Sequence, residues 1–239
     1  MPNWVKTIVK TKPDVLKDVL EKYSNENGFS FDKVIPMPKD LDVERSSRGE
    51  EGLMYLFLEN DSGISKEKIN EVYRSLNMFH SDIYRESRFQ KLAEKYDENK
   101  DKLEYTESVK LAKQYISNYD KYGHADWYEW RCDKWGTKWD LTALDYNKDT
   151  LLFETAWGFA GNVILELSRK YPEAVFECRF ADEGIQENSG ILKIKDGEVI
   201  EERYNLKQRS INKIWDYYLD DSEKEIPEEE QELEEELEH

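Results

Sequence analysis

The chain has 239 residues and a net charge of −18. From Asp220 onward it holds twelve acids and one lysine, so the first 219 residues carry only −7. An acidic surface argues against nonspecific nucleic-acid binding, which runs on Lys and Arg displacing counterions. Two cysteines, Cys132 and Cys178, allow no Cys-rich metal site. The length suits one large domain or two small ones.

Residues 4–11 are rich in β-branched side chains and read as a strand. Pro13 and Asp14 open a helix with Val15, Leu16, Val19 and Leu20 on one face, ended by Asn27-Gly28. Phe29, Phe31, Val34 and Ile35 read as a second extended piece, which makes a β-α-β unit. Residues 39–52 are polar and read as irregular, and 53–58 form a short apolar run. Three helices follow. Ile69, Val72, Tyr73 and Leu76 have i, i+3, i+4, i+7 spacing behind a Ser65 cap. Phe89, Leu92, Ala93 and Tyr96 repeat that spacing, and Val109, Ala112, Ile116 and Tyr119 share one face of the third.

After Gly123, residues 126–135 read as a helix with Gly136 at its left-handed C-terminal cap. Trp139, Leu141 and Ala143 alternate as a strand. A turn at 146–149 leads to a second strand with Leu151, Phe153, Thr155 and Trp157 on one side. Residues 161–170 form a helix stopped by Tyr171-Pro172, and 175–180 a third strand. The Asp196-Gly197 pair joins 191–195 to 198–204 as a hairpin. Ile211, Ile214, Trp215 and Tyr218 mark a last helix. The acidic tail 220–236 has too little apolar content to fold alone. Residues 237–239 read as the start of a vector-encoded histidine tag, and the N-terminus shows no signal-peptide pattern.

Five of the seven tryptophans fall between 127 and 157. On a helix, Trp127, Trp130, Arg131, Lys134 and Trp135 put three indoles and two cations on one face. Trp127-Tyr128-Glu129-Trp130, Trp135-Gly136-Thr137-Lys138-Trp139-Asp140, Phe153-Glu154-Thr155-Ala156-Trp157 and Tyr171-Pro172-Glu173, with Val34-Ile35-Pro36-Met37-Pro38 upstream, resemble the YubB-type ferredoxin-like domain proteins of phages, prophages and plasmids. The resemblance covers about 1–58 and 126–190 and leaves the acidic tail outside. It implies an α+β ferredoxin-like sandwich, interrupted here by a helical insertion. The first part would be 1–38, the insertion 39–125 and the second part 126–219. It implies no established activity, so no catalytic residue carries over.

No dinucleotide fingerprint, phosphate loop, His-Glu-x-x-His or Cys-x-x-Cys occurs. No cofactor or metal is expected. Nucleophilic catalysis would need Cys132 or a serine near His124, and a metal site would need His80 and His124 with a carboxylate. The reading is therefore a non-enzymatic interaction module of a mobile element, cytoplasmic, whose partner is a host or rival protein. Neither a membrane span nor direct nucleic-acid binding is expected. The alternative is an enzyme or small-molecule binder with an aromatic and carboxylate pocket near Trp139 and Glu154. Its candidate residues are Trp127, Trp130, Lys138, Asp140, Glu154 and Arg179.

Overall fold

The computed structural model describes residues 2–59, 63–76, 82–94, 96 and 103–219. The expectations for 220–236, 237–239 and His80 lie outside these residues. The chain divides into two compact units. One holds Met1–Lys33, Asp140–Phe159 and the chain from Ile164 on; the other holds Val34–Trp139 and Ala160–Val163.

The first unit is built on a six-stranded antiparallel sheet. Its strands are β1 (Trp4–Lys10), β4 (Thr142–Tyr146), β5 (Thr150–Ala156), β6 (Phe176–Asp182), β7 (Ser189–Lys195) and β8 (Glu198–Tyr204), in the order β4-β5-β1-β6-β7-β8. Helix α1 (Pro13–Lys22) follows β1, and helix α8 (Gly161–Lys170) lies between β5 and β6. Taken in sequence, β1-α1-β4-β5-α8-β6 is the β-α-β-β-α-β ferredoxin-like motif. The insertion enters between α1 and β4, and the β7–β8 hairpin widens the sheet. Asp196 (φ 50°) and Gly197 (φ 77°) both take positive φ, as a two-residue hairpin turn of this hand requires.

Both faces of the sheet are used. Val5, Val9, Phe153, Cys178, Leu192 and Ile194 are buried on one. Ile8, Leu152 and Ala181, on the other, pack with Ile211 and Ile214 of helix α9 (Gln208–Trp215). Lys6 belongs to that second face and is 3% exposed. Its ammonium donates to the carbonyls of Trp215 (2.8 Å) and Tyr217 (2.6 Å), where the C-terminal carbonyls of α9 lack partners of their own. The uncovered part of this face is charged. Lys10, Glu177, Lys193 and Glu201 follow one another across four strands with alternating sign.

Three sequence expectations are corrected. Residues 29–35 are not a second sheet strand. Ser24–Asn25 (β2) and Gly28–Phe29 (β3) form a small hairpin, and Phe31–Val34 is a short helix, α2. Trp139 and Leu141 precede β4 rather than belonging to it, and Ala143 (φ 48°) sits in a register shift between Thr142 and Asp145. Trp157 lies beyond β5 at φ 68° and so does not continue the strand side of Leu151 and Phe153; it is exposed.

The second unit is helical: α3 (Ser47–Leu58), α4 (Lys66–Leu76), α5 (Asp82–Glu94), α6 (Leu103–Tyr122) and α7 (Trp127–Lys134). The apolar run 53–58 is therefore the second half of α3, which begins inside the stretch expected to be irregular. Leu53, Leu56, Ile69, Val72, Tyr73, Leu76, Ala112, Tyr115 and Ile116 form one core. Ser65 Oγ accepts from Lys68 N (3.2 Å), the expected cap of α4. Gly49 and Gly52, one turn apart on α3, let α6 approach closely. A Cβ on Gly52 would collide with the Ser108 carbonyl, and one on Gly49 with the Tyr115 ring.

Candidate functional site

Helix α7 starts at Asp126, which is fully buried and accepts from Tyr128 N (2.9 Å) and Glu129 N (3.2 Å). Its other oxygen meets Arg45 Nη1 at 2.7 Å. Arg45 also donates to the Leu76 carbonyl, and its guanidinium lies over the Tyr128 ring at 4.4 Å. A buried carboxylate is kept here because it is both hydrogen-bonded and ion-paired.

The next acid along, Glu129, is 4% exposed. Its Oε2 accepts from Ala125 N (3.0 Å) and lies 3.4 Å from Ser75 Oγ, which is 2.9 Å from the Val72 carbonyl, and its Oε1 has no hydrogen-bond partner. Burial pushes this carboxyl above its ordinary value, and the Asp126 carboxylate adds to the shift. Glu129 lines a cavity of about 340 Å³ with Ser75, Tyr119, Gly123, His124, Cys132 and Asp133. His124 Nε2 lies 3.2 Å from Asp133 Oδ2. Burial nonetheless lowers the imidazole below its ordinary value, so it is neutral near pH 7 and donates as an N–H. The Cys132 thiol is pushed up by desolvation and so is not an activated nucleophile. The structure thus brings together His124, Cys132 and Asp133. Glu129 is not among the pocket residues expected from the sequence, where it stands as an ordinary helix acid beside Trp130.

Those expected residues divide between the units: Trp127, Trp130 and Lys138 belong to the helical one, and Asp140, Glu154 and Arg179 to the sheet one. Trp130 is buried edge-on to Trp135, with ring centroids 5.9 Å apart, and Trp135 Nε1 donates to the Ile35 carbonyl (3.0 Å). These two indoles serve packing. Arg131 lies over both Trp127 (5.2 Å) and Trp135 (5.0 Å). Lys138 lies over Trp139 at 4.3 Å, and Trp139 is half-buried. Gly136 has φ 84°, the left-handed cap the sequence requires.

In the sheet unit, Asp140 accepts from Ser30 Oγ (2.6 Å) and Phe31 N (2.9 Å), which makes it an anchor for the start of α2. Glu154 stands opposite Lys6, and Arg179 opposite Ile8. The two sit on strands either side of β1, on the face that α9 partly covers. Among the described residues no three His, Cys, Asp or Glu side chains converge as metal ligands do, and no helix is long and apolar enough to cross a membrane.

One end of the sheet unit carries a second feature. Phe159 stacks on Phe180 with centroids 4.4 Å apart and planes 4° off parallel, and Tyr204 meets Phe180 edge-on at 6.4 Å. Gly190 makes room: a Cβ there would lie within 3 Å of the Phe180 ring. Trp157, 46% exposed, has its N–H bonded to the Asn3 carbonyl (2.9 Å) and its carbonyl to Asn188 Nδ2 (3.0 Å). Asp182 fixes the adjoining loop by accepting from Asn3, Gly184, Ile185 and Asn188.

A comparison with curated proteins finds no match. A crystal structure of a protein Api92 from Yersinia pseudotuberculosis aligns over 85% of this chain and 98% of its own, at 9% identity and a TM-score of 0.37. The matched family model runs from residue 134 to 239 and so includes the acidic segment that the resemblance left outside. It describes that part of the chain as similar to the ferredoxin-like domain in Api92-like protein, which agrees with the strand order of the sheet unit.

Proposed function

We propose that this protein is a non-enzymatic interaction module that docks a partner protein at the Trp157 end of its sheet. The observation that carries the reading is Trp157 itself. A bulky aromatic at φ 68° is costly, and backbone strain of this kind persists where the surroundings over-determine it and function uses it. Here the strained residue is held by Asn3 and Asn188 with its indole exposed, and tryptophan is the residue most enriched at binding hot spots. Ile185 and Tyr204 are also exposed at this end, and Glu183 and Glu187 flank Ile185. That chemistry favours an apolar, basic partner segment. The mobile-element association and cytoplasmic setting belong to the same reading, with a host or rival protein as partner.

The test is capture from a host lysate by the parent chain and by Trp157→Gly, each with and without residues 220–236. Glycine accepts positive φ without penalty, so the variant melts at or above the parent temperature. It also loses the captured partner. Equal capture by Trp157→Gly overturns the reading.

A further inference from the structure

We propose that β8 is the interface between two copies of this chain, the two β8 strands pairing antiparallel about a two-fold axis at Glu202. β8 is one edge of the sheet. The other edge, β4, is interrupted by its register shift and has the β2–β3 hairpin against it, since a Cβ on Gly28 would lie 2.6 Å from the Leu144 side chain. Along β8, Val199, Ile200 and Tyr204 are exposed, Ile200 to 55%. An exposed edge strand of this kind is a template for another strand.

The backbone fixes which residues can meet. Asn205 N donates to the Ser189 carbonyl, so Ile191 with Arg203 and Lys193 with Glu201 are the hydrogen-bonded pairs of the β7–β8 ladder. The register shift of this ladder begins only beyond Lys193 and Glu201. The N–H and C=O of Glu202 and Tyr204, and the Ile200 carbonyl, therefore point away from β7. Outward residues must face outward residues, so the axis can fall at Glu201, Glu202 or Arg203. Each choice sets one charge against its own copy, but only Glu202 also sets Glu201 opposite Arg203 of the second copy, twice by symmetry. Lys10, Glu177, Lys193 and Glu201 already alternate in sign across four strands, and that arginine is the next member of the row. Glu201, bonded to Lys193 at 2.8 Å, then lies between two cations. In the same register Glu202 N–H meets the Glu202 carbonyl and Tyr204 N–H the Ile200 carbonyl, each in both directions. The exposed Ile200 and Tyr204 come opposite one another. One patch serves both copies, so the contact closes as a dimer. It goes beyond the docking reading and does not use Trp157, so the two stand or fall separately.

Sedimentation velocity at constant ionic strength reads the association, from about 1 to about 300 μM chain. Far-ultraviolet circular dichroism reads the fold. The parent chain is expected to pass from monomer to dimer over that range. Glu202→Pro should stay monomeric. It loses the N–H that crosses the axis and no bond to β7, and an edge position of this kind tolerates proline. Glu202→Gln removes the like charges at the axis and should tighten the dimer roughly threefold. Arg203→Glu turns both opposite-charge pairs into like ones and should weaken it about tenfold. Trp157→Gly should associate as the parent does, which keeps this result apart from the docking test. If Glu202→Pro fails to fold, the two charge variants decide alone. A parent chain that stays monomeric, a folded Glu202→Pro chain that still associates, an unchanged dimerisation constant in both charge variants, or loss of association in Trp157→Gly each overturns the proposal.

Discussion

Arg45 has three attachments: the buried Asp126 carboxylate, the Leu76 carbonyl and the face of Tyr128. Two lie at the start of α7 and one at the end of α4, so one side chain fixes where α7 begins relative to the end of α4. Removing the guanidinium leaves Asp126 as an uncompensated buried charge, and breaking a buried pair from one side costs about 3–5 kcal/mol. Arg45→Met, which keeps the apolar stem, is therefore expected to lower stability by about that much in urea unfolding. A loss below about 1 kcal/mol would show that water or another cation already serves Asp126. Glu129 shows the opposite condition a few residues on: two oxygens, one served and one not. The difference between the neighbouring acids was not visible in the sequence. Asp126 and Glu129 stand three apart, the spacing at which an acid reads as part of a helix cap. Glu129 does bond the Ala125 amide in that manner, but with Oε2 alone. The surroundings of Glu129 include Ser75, Tyr119 and His124, of which Ser75 comes from a distant position.

At the scale of elements, those with a local cause could be read directly. The hairpin at Asp196-Gly197 follows from the positive φ that its two turn residues tolerate, and the end of α7 from Gly136. Gly136→Val is expected to destabilise by roughly 1–2 kcal/mol, because a β-branched residue resists φ 84°. Thermal melting of that variant within error of the parent would mean that the cap relaxes without cost. Elements without a local cause were misread. Phe29, Phe31, Val34 and Ile35 fit a short strand or one helical turn equally well, and periodicity cannot separate the two over so few residues. What decides is Asp140, 109 residues away, which takes the Phe31 amide and starts α2. The apolar run 53–58 was likewise ambiguous. It is helical because Gly49 and Gly52, which look like loop residues, are contact positions against α6. Trp157 was placed in line with Phe153 by strict alternation, and the chain leaves that alternation at the residue after Ala156.

Across the whole molecule, the sequence was legible as a ferredoxin-like motif with a helical insertion. The division into two units falls between Trp139 and Asp140, within the motif that the resemblance treats as continuous. A tryptophan-rich run suggests one pocket, but its members divide between two units, each with a core of its own. Leu53, Val72 and Tyr115 belong to one, and Ile8, Leu152 and Ile214 to the other. Local stability follows such cooperative groups of contacts, so damage to one core should show first in its own amides. Lys6 is to the sheet unit what Arg45 is to the helical one. Lys6→Met removes the donor from the Trp215 and Tyr217 carbonyls and should cost about 1–3 kcal/mol. Amide exchange followed by mass spectrometry separates the two cases. Arg45→Met should speed exchange in 47–58, 66–76 and 127–134 more than in the strands. Lys6→Met should do so in 4–10 and 208–215 while the helical unit keeps its protection. If both variants raise exchange uniformly over all described segments, the chain unfolds as one cooperative body and the two cores do not act separately.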